Sequence, residues 1–72
     1  MIKKYGIEVD CANCAAKMEA AASKVSGVNR VAVNFMMQKI TVDFADGVDV
    51  QEVMENILKV CKKVERHCTI DF

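Results

Sequence analysis

Seventy-two residues make one domain, spanning 1–72, and a chain this short buries only about 60% of the surface its unfolded form exposes. Ten basic and ten acidic residues give zero formal charge, so there is no electrostatic reason to expect nucleic acid or anionic lipid as a partner. The 53% hydrophobic content argues against disorder, and no apolar run approaches the ~20 residues of a membrane helix. Lys3 and Lys4 have no hydrophobic stretch behind them, so no export signal is visible. The chain reads as a soluble cytoplasmic domain, or as the cytosolic part of something larger. In a reducing compartment its four cysteines point to metal ligands, redox groups or core fillers rather than structural disulfides.

In chain order, Ile2 to Val9 alternates, with Tyr5, Ile7 and Val9 opposite Lys4, Gly6 and Glu8, as a half-buried strand does. From Cys14 to Val25 the apolar positions Cys14, Met18, Ala21 and Val25 predict one face of a helix, which Gly27 is placed to end. Val31, Val33 and Phe35 mark a second strand and Ile40, Val42 and Phe44 a third. Met36-Met37-Gln38-Lys39 is short enough to join them as a hairpin. After the Asp46-Gly47 turn, Asp49 with Glu52 three residues on resembles a capping box. The helix it opens carries a stripe of Val50, Val53, Ile57 and Val60 or Cys61. A last strand is expected over Val64 to Phe72, with Val64, Arg66, Cys68, Ile70 and Phe72 on one parity. The order β-α-β-β-α-β predicts an α+β, ferredoxin-like fold: a four-stranded antiparallel sheet with both helices on one face.

Chemistry concentrates after the first strand, in Asp10-Cys11-Ala12-Asn13-Cys14. Two thiols three residues apart at the start of a helix can ligate one ion, and the helix N-terminus favours the thiolate that metals bind. Asn13 sits where a cap is expected. Thiol–disulfide oxidoreductases use the same spacing, but in another element order and with a cis-proline beside the pair, and this chain has no proline. A structural zinc site drawing on Cys61 and Cys68 lacks ribbon spacing. Both cysteines fit better as core residues, and His67 falls on the exposed parity. Met18 and Met54 lie on or beside helix stripes and Met36-Met37 in a turn, so no methionine-rich ligand spacing appears.

Val9-Asp10-Cys11-Ala12-Asn13-Cys14-Ala15-Ala16-Lys17-Met18-Glu19, with Ser26-Gly27-Val28 and Val31-Ala32-Val33-Asn34-Phe35, resembles the heavy-metal-associated domain. That family comprises soluble metallochaperones and the N-terminal domains of metal-pumping P-type ATPases, and the likeness runs from Lys4 to Phe72. Asp-Cys-Ala-Asn-Cys and Lys62-Lys63-Val64-Glu65 are similar to the cadmium/zinc/lead branch. Copper members usually carry Met-Thr or Met-Asp before the cysteines. Glu8 departs from the family, which commonly has glycine there. The resemblance implies a metal-binding module rather than an enzyme. Its partners would be the metal ion and a cognate metal-transporting ATPase or that pump's membrane domain. A metal-bridged dimer through four thiolates is a further option.

Two thiolates alone suit Cu(I), whereas Asp10 beside them brings the ligand charge to minus three and favours a divalent ion. Zn(II) and Cd(II) also accept mixed sulfur and oxygen ligands, and Pb(II) belongs with them in this reading. In some cadmium/zinc members a glutamate before the last strand joins the metal, which makes Glu65 a candidate fourth ligand. The expected site is therefore Cys11, Cys14, Asp10 and Glu65, taking Zn(II) or Cd(II), with Cu(I) as the alternative; the competing readings are a helix cap for Asp10 and a solvated surface carboxylate for Glu65.

Overall fold

The computed structural model describes residues 1–72. Its elements follow the expected order: β1 (Ile2–Glu8), α1 (Ala12–Ala22), β2 (Val28–Asn34), β3 (Lys39–Phe44), α2 (Val50–Val64) and β4 (Thr69–Asp71). The strands form one antiparallel sheet in the order β2-β3-β1-β4. The alternation of β-branched and aromatic residues sets the register of the long pairs, which puts Val31 beside Val42 and Tyr5 beside Ile40. One face of the sheet is dry: Ile7, Val31, Ile40, Val42, Phe44 and Ile70 are all buried, together with Val9 just past β1. Met18 of α1 and Met54, Ile57 and Cys61 of α2 close over them, each with no exposed surface. The opposite face carries Lys4, Glu8, Arg30, Lys39, Thr69 and Asp71, which are exposed. This is the ferredoxin-like architecture, a single sheet under two helices.

Local chemistry accounts for the better-defined ends. Asp49 is the N-cap of α2 and accepts hydrogen bonds from the N–H groups of Gln51 at 3.0 Å and Glu52 at 3.4 Å. Lys62 and Lys63 fall in its last turn, where the helix dipole favours cations. Because Lys63 and Val64 continue this helix, β4 is only three residues long and the strand expected from Val64 starts at Thr69 instead.

Both ends of α1 also differ from the sequence reading, while β1 stops at Glu8 and β2 at Asn34, one residue short of the expected Val9 and Phe35. α1 begins at Ala12, not Cys14, and buries Ala15, Met18 and Ala22; Cys14, Ala21 and Val25 are only partly covered. Six alanines between positions 12 and 22 leave the helix apolar on several sides, so sequence periodicity fixes its phase poorly. Gly27 does not end α1, whose C-cap is Ser23. Its φ of +92° serves the turn into β2, where an added Cβ would stand 3.0 Å from Val53. In α2, Met54 and Cys61 complete the buried stripe with Val53 and Ile57, while Val50 and Val60 are half-buried.

The topology determines what surrounds the cysteine loop. β1 lies between β3 and β4, so the loop leaves from an interior strand. Glu8, the last residue of β1, pairs with Thr69 at the start of β4, and Gly6 pairs with Lys39 at the start of β3. The α2–β4 connection and the β2–β3 turn therefore flank the loop, one on each side. Glu8 needs no glycine-like conformation: it is exposed and has a negative φ.

Candidate metal centre

α1 opens on Cys11, an extended residue (φ −137°, ψ 131°) that occupies the N-cap; Asn13, expected there, is already helical. No side chain donates or accepts a capping hydrogen bond at this end, and no acidic residue lies in the first turn. The amide N–H groups of the first turn thus lack intrahelical partners and confront the Cys11 sulfur instead. The Cys14 N–H, then the Cys14 side chain and the Asn13 N–H, hold the Cys11 pKa below the ordinary thiol value, and Lys17 contributes in the same direction. Cys11 is exposed, so this sulfur can be reached from outside.

Cys14 is half-buried and its thiol moves the opposite way. Its hydrogen bond to Cys11 raises its pKa most, followed by desolvation, the neighbouring Cys11 charge and the charge of Glu65. The two thiols therefore titrate as a pair, with Cys11 carrying the first negative charge. That Glu65 acts on Cys14 places its carboxylate in electrostatic range of the pair.

Glu65 is half-buried at the C-cap of α2, and its Oε1 accepts a hydrogen bond from the His67 N–H at 3.1 Å. Asp10 is exposed, immediately before Cys11. Of the four expected site residues, the structure brings Cys11 and Cys14 into contact, with Asp10 adjacent in the chain and Glu65 near enough to bias Cys14. No three His, Cys, Asp or Glu side chains stand together at metal-holding spacing, so both carboxylates would have to swing inward to meet a shared ion.

Cys61 and Cys68 form a second thiol pair inside the core, with no exposed surface and close enough to shift each other's titration. Burial, then the neighbouring Cys68 charge and its hydrogen bond, push the Cys61 thiol up to about 12. Neither thiol can supply a thiolate at neutral pH without opening the fold. His67 is exposed. The two surface grooves, of about 300 and 240 Å³, are lined by Lys4, Asn34, Met37, Lys39 and Thr41 and by residues around Gly27 and Asp49. Neither reaches the cysteine loop.

Comparison with known proteins places this geometry. The sequence profile of the heavy-metal-associated domain matches residues 6–65. The cadmium, zinc and cobalt-transporting ATPase of Bacillus subtilis (strain 168) is 39% identical over 62 residues, which cover 86% of this chain and 9% of that protein. Copper-transporting ATPase 1 of Rhizobium meliloti (strain 1021) is 41% identical over 54 residues, covering 74% of this chain and 6% of that protein. The chain thus spans less than a tenth of the curated relatives it matches. Among solved structures, the N-terminal domain of a potential copper-translocating P-type ATPase from Bacillus subtilis, in its Cu(I)-loaded state, superposes with a TM-score of 0.73 at 25% identity. That match covers 99% of this chain and 84% of the other.

Proposed function

This chain belongs to the heavy-metal-associated domain family, and from that premise we propose that it takes up a divalent soft or borderline ion, Zn(II), Cd(II) or Pb(II), and hands it on. The observation that carries the proposal is the exposed Cys11 thiol with its lowered pKa, in contact with Cys14 at the free N-terminus of α1 and flanked by Asp10 and Glu65. Helix amides stabilise the first thiolate, and the incoming cation stabilises the second by displacing the Cys14 proton.

The choice of a divalent ion rests on charge. Two thiolates and Asp10 carry minus three, leaving minus one around a divalent ion and minus two around Cu(I). Excess negative charge held at one point costs free energy, and Cu(I) gains little from a hard oxygen donor. Glu65 supplies the fourth position in this reading; water or an acceptor's side chain fills it otherwise. The ion is cargo: a site at the protein's edge allows an incoming thiolate or carboxylate to replace its ligands one at a time, without releasing a free cation. The acceptor is a metal-transporting ATPase, either as the remainder of the same polypeptide or as a separate protein.

A second reading, transfer of Cu(I), is favoured by the copper-transporting relative and by the two thiolates, which suffice for linear coordination. Competitive titration of the reduced protein with Zn(II), Cd(II) and Cu(I) separates the two. Under the divalent reading, Asp10→Ala weakens Zn(II) binding by about tenfold, on the scale of a lost charge-assisted ligand, and leaves Cu(I) unchanged. Unchanged Zn(II) affinity in that variant refutes the charge argument.

A further inference from the structure

The residue that ties the cysteine loop to the sheet is Gln38, at the end of the β2–β3 turn. Its backbone adopts φ +54°, the left-handed region that a side-chain-bearing residue enters only when something holds it there. The regular β1–β3 register ends at Gly6 and Lys39, and one further backbone bond joins Ile7 to Gln38. Beyond that point the Gln38 carboxamide takes over the role of a peptide group. Its Oε1 accepts from the Val9 N–H at 2.9 Å, and its Nε2 donates to the Val9 C=O at 3.0 Å and to the Phe35 C=O at 2.8 Å. The Gln38 C=O accepts from the Ile7 N–H at 3.0 Å. Only this orientation of the amide works, because the reverse would set Nε2 against an N–H and Oε1 against two carbonyls.

Val9 lies two residues before Cys11, and its side chain is buried. On the far side, the Cys11 C=O accepts from the Ala15 N–H at 2.9 Å and is fixed to the helix. Between these two anchors, the Asp10 backbone makes no hydrogen bond. The freedom of the loop is therefore concentrated at one residue, and the position of the Cys11 sulfur depends on Val9 being held.

We propose that Gln38 is a positioning residue for the metal site: its side-chain amide adds a rung to the β1–β3 ladder at Val9 and so limits how far the Cys11 thiol reorganises when an ion binds or leaves. The inference rests on the metal-binding reading given above. It assigns to the hairpin turn a role in retention of the ion.

The test uses Gln38→Gly, which removes the amide and also relieves the left-handed backbone, so the fold is not put at risk. Amide hydrogen exchange is followed in the reduced, metal-free protein, and Zn(II) release to a competing chelator in the loaded one. The expected result is exchange at Val9 about tenfold faster, as for a lost hydrogen bond, with Ile40 and Val42 amides unchanged, and Zn(II) release faster by a similar factor. Gln38→Glu retains the acceptor for the Val9 N–H but not the donor, and falls between wild type and Gln38→Gly in both measurements. Unchanged exchange at Val9 overturns the clamp. Faster exchange with unchanged Zn(II) release overturns its bearing on the ion while leaving the metal reading intact. A wild-type protein that retains none of Zn(II), Cd(II) or Cu(I) fails the metal reading and takes this inference with it.

Discussion

The molecule contains two cysteine pairs, and they show opposite chemistry. Cys11 and Cys14 stand at the open end of a helix where unpaired amides face a sulfur, and there the first thiol is acidified. Cys61, in the last turn of α2, and Cys68, just before β4, are buried in the core cluster that also holds Met54, Ile57 and Ile70, and there the thiol of Cys61 is pushed up to about 12. The thiols of each pair stand close enough to shift each other's titration, so proximity does not distinguish them. What differs is whether water and helix amides, or hydrocarbon, surround the charge a thiolate would carry. On the proposed function, one pair loses its protons to a cation and the other keeps them.

Substitution should separate the pairs cleanly. Cys11→Ser and Cys14→Ser are each expected to reduce Zn(II) affinity by about a hundredfold or more, beyond what outer-shell partners carry, with the thermal midpoint of the metal-free protein almost unmoved. Isothermal titration and calorimetry of the same variants check both halves. Cys61→Ser should do the reverse. A hydroxyl enclosed among apolar groups costs about 1–3 kcal/mol in chemical denaturation, while Zn(II) affinity of the folded protein stays at the wild-type value. If Cys61→Ser lowers affinity as much as Cys11→Ser, the two pairs are not independent.

Alkaline titration sharpens the contrast. The folded-state pKa of Cys61 lies above its unfolded value, so its contribution to stability is complete below pH 9.0 and is lost as the pH rises from there towards about 12. Urea midpoints of the reduced protein should fall over that window, and Cys61→Ala should flatten the fall. Cys11 has the opposite sign, with a lowered folded-state pKa, so the stability it contributes is present above the unfolded value and is lost as the pH falls. The smallest effect lies within the Cys11–Cys14 pair. Iodoacetamide at neutral pH should modify Cys11 severalfold faster than Cys14, as read by peptide mass spectrometry, because Cys11 holds the larger share of thiolate. Cys61 and Cys68 should react only after denaturant is added.

The fold was legible in the sequence wherever burial is one-sided. Ile40, Val42 and Phe44 alternate with polar residues, and all three are fully buried. Asp49 carries a cap signal that the structure uses. Legibility failed where several placements satisfy the same pattern. Alanines gave α1 no unique buried face, and the even spacing of Val64, Arg66, Cys68 and Ile70 imitated a strand across the end of a helix. At the proposed site, the cysteine spacing pointed to the loop, and the resemblance pointed to Glu65. Gln38 was legible only as part of a turn, because its partner Val9 is 29 residues away and no local pattern records a side-chain bond of that range.

X-ray absorption of the Zn(II)-loaded, reduced protein tests the central claim most directly, because it counts the atoms around the ion. Two sulfur neighbours at about 2.3 Å with the remaining positions filled by oxygen at about 2.0–2.2 Å are predicted for Cys11, Cys14, Asp10 and Glu65. An all-sulfur shell of four, or a shell without sulfur, would contradict the account.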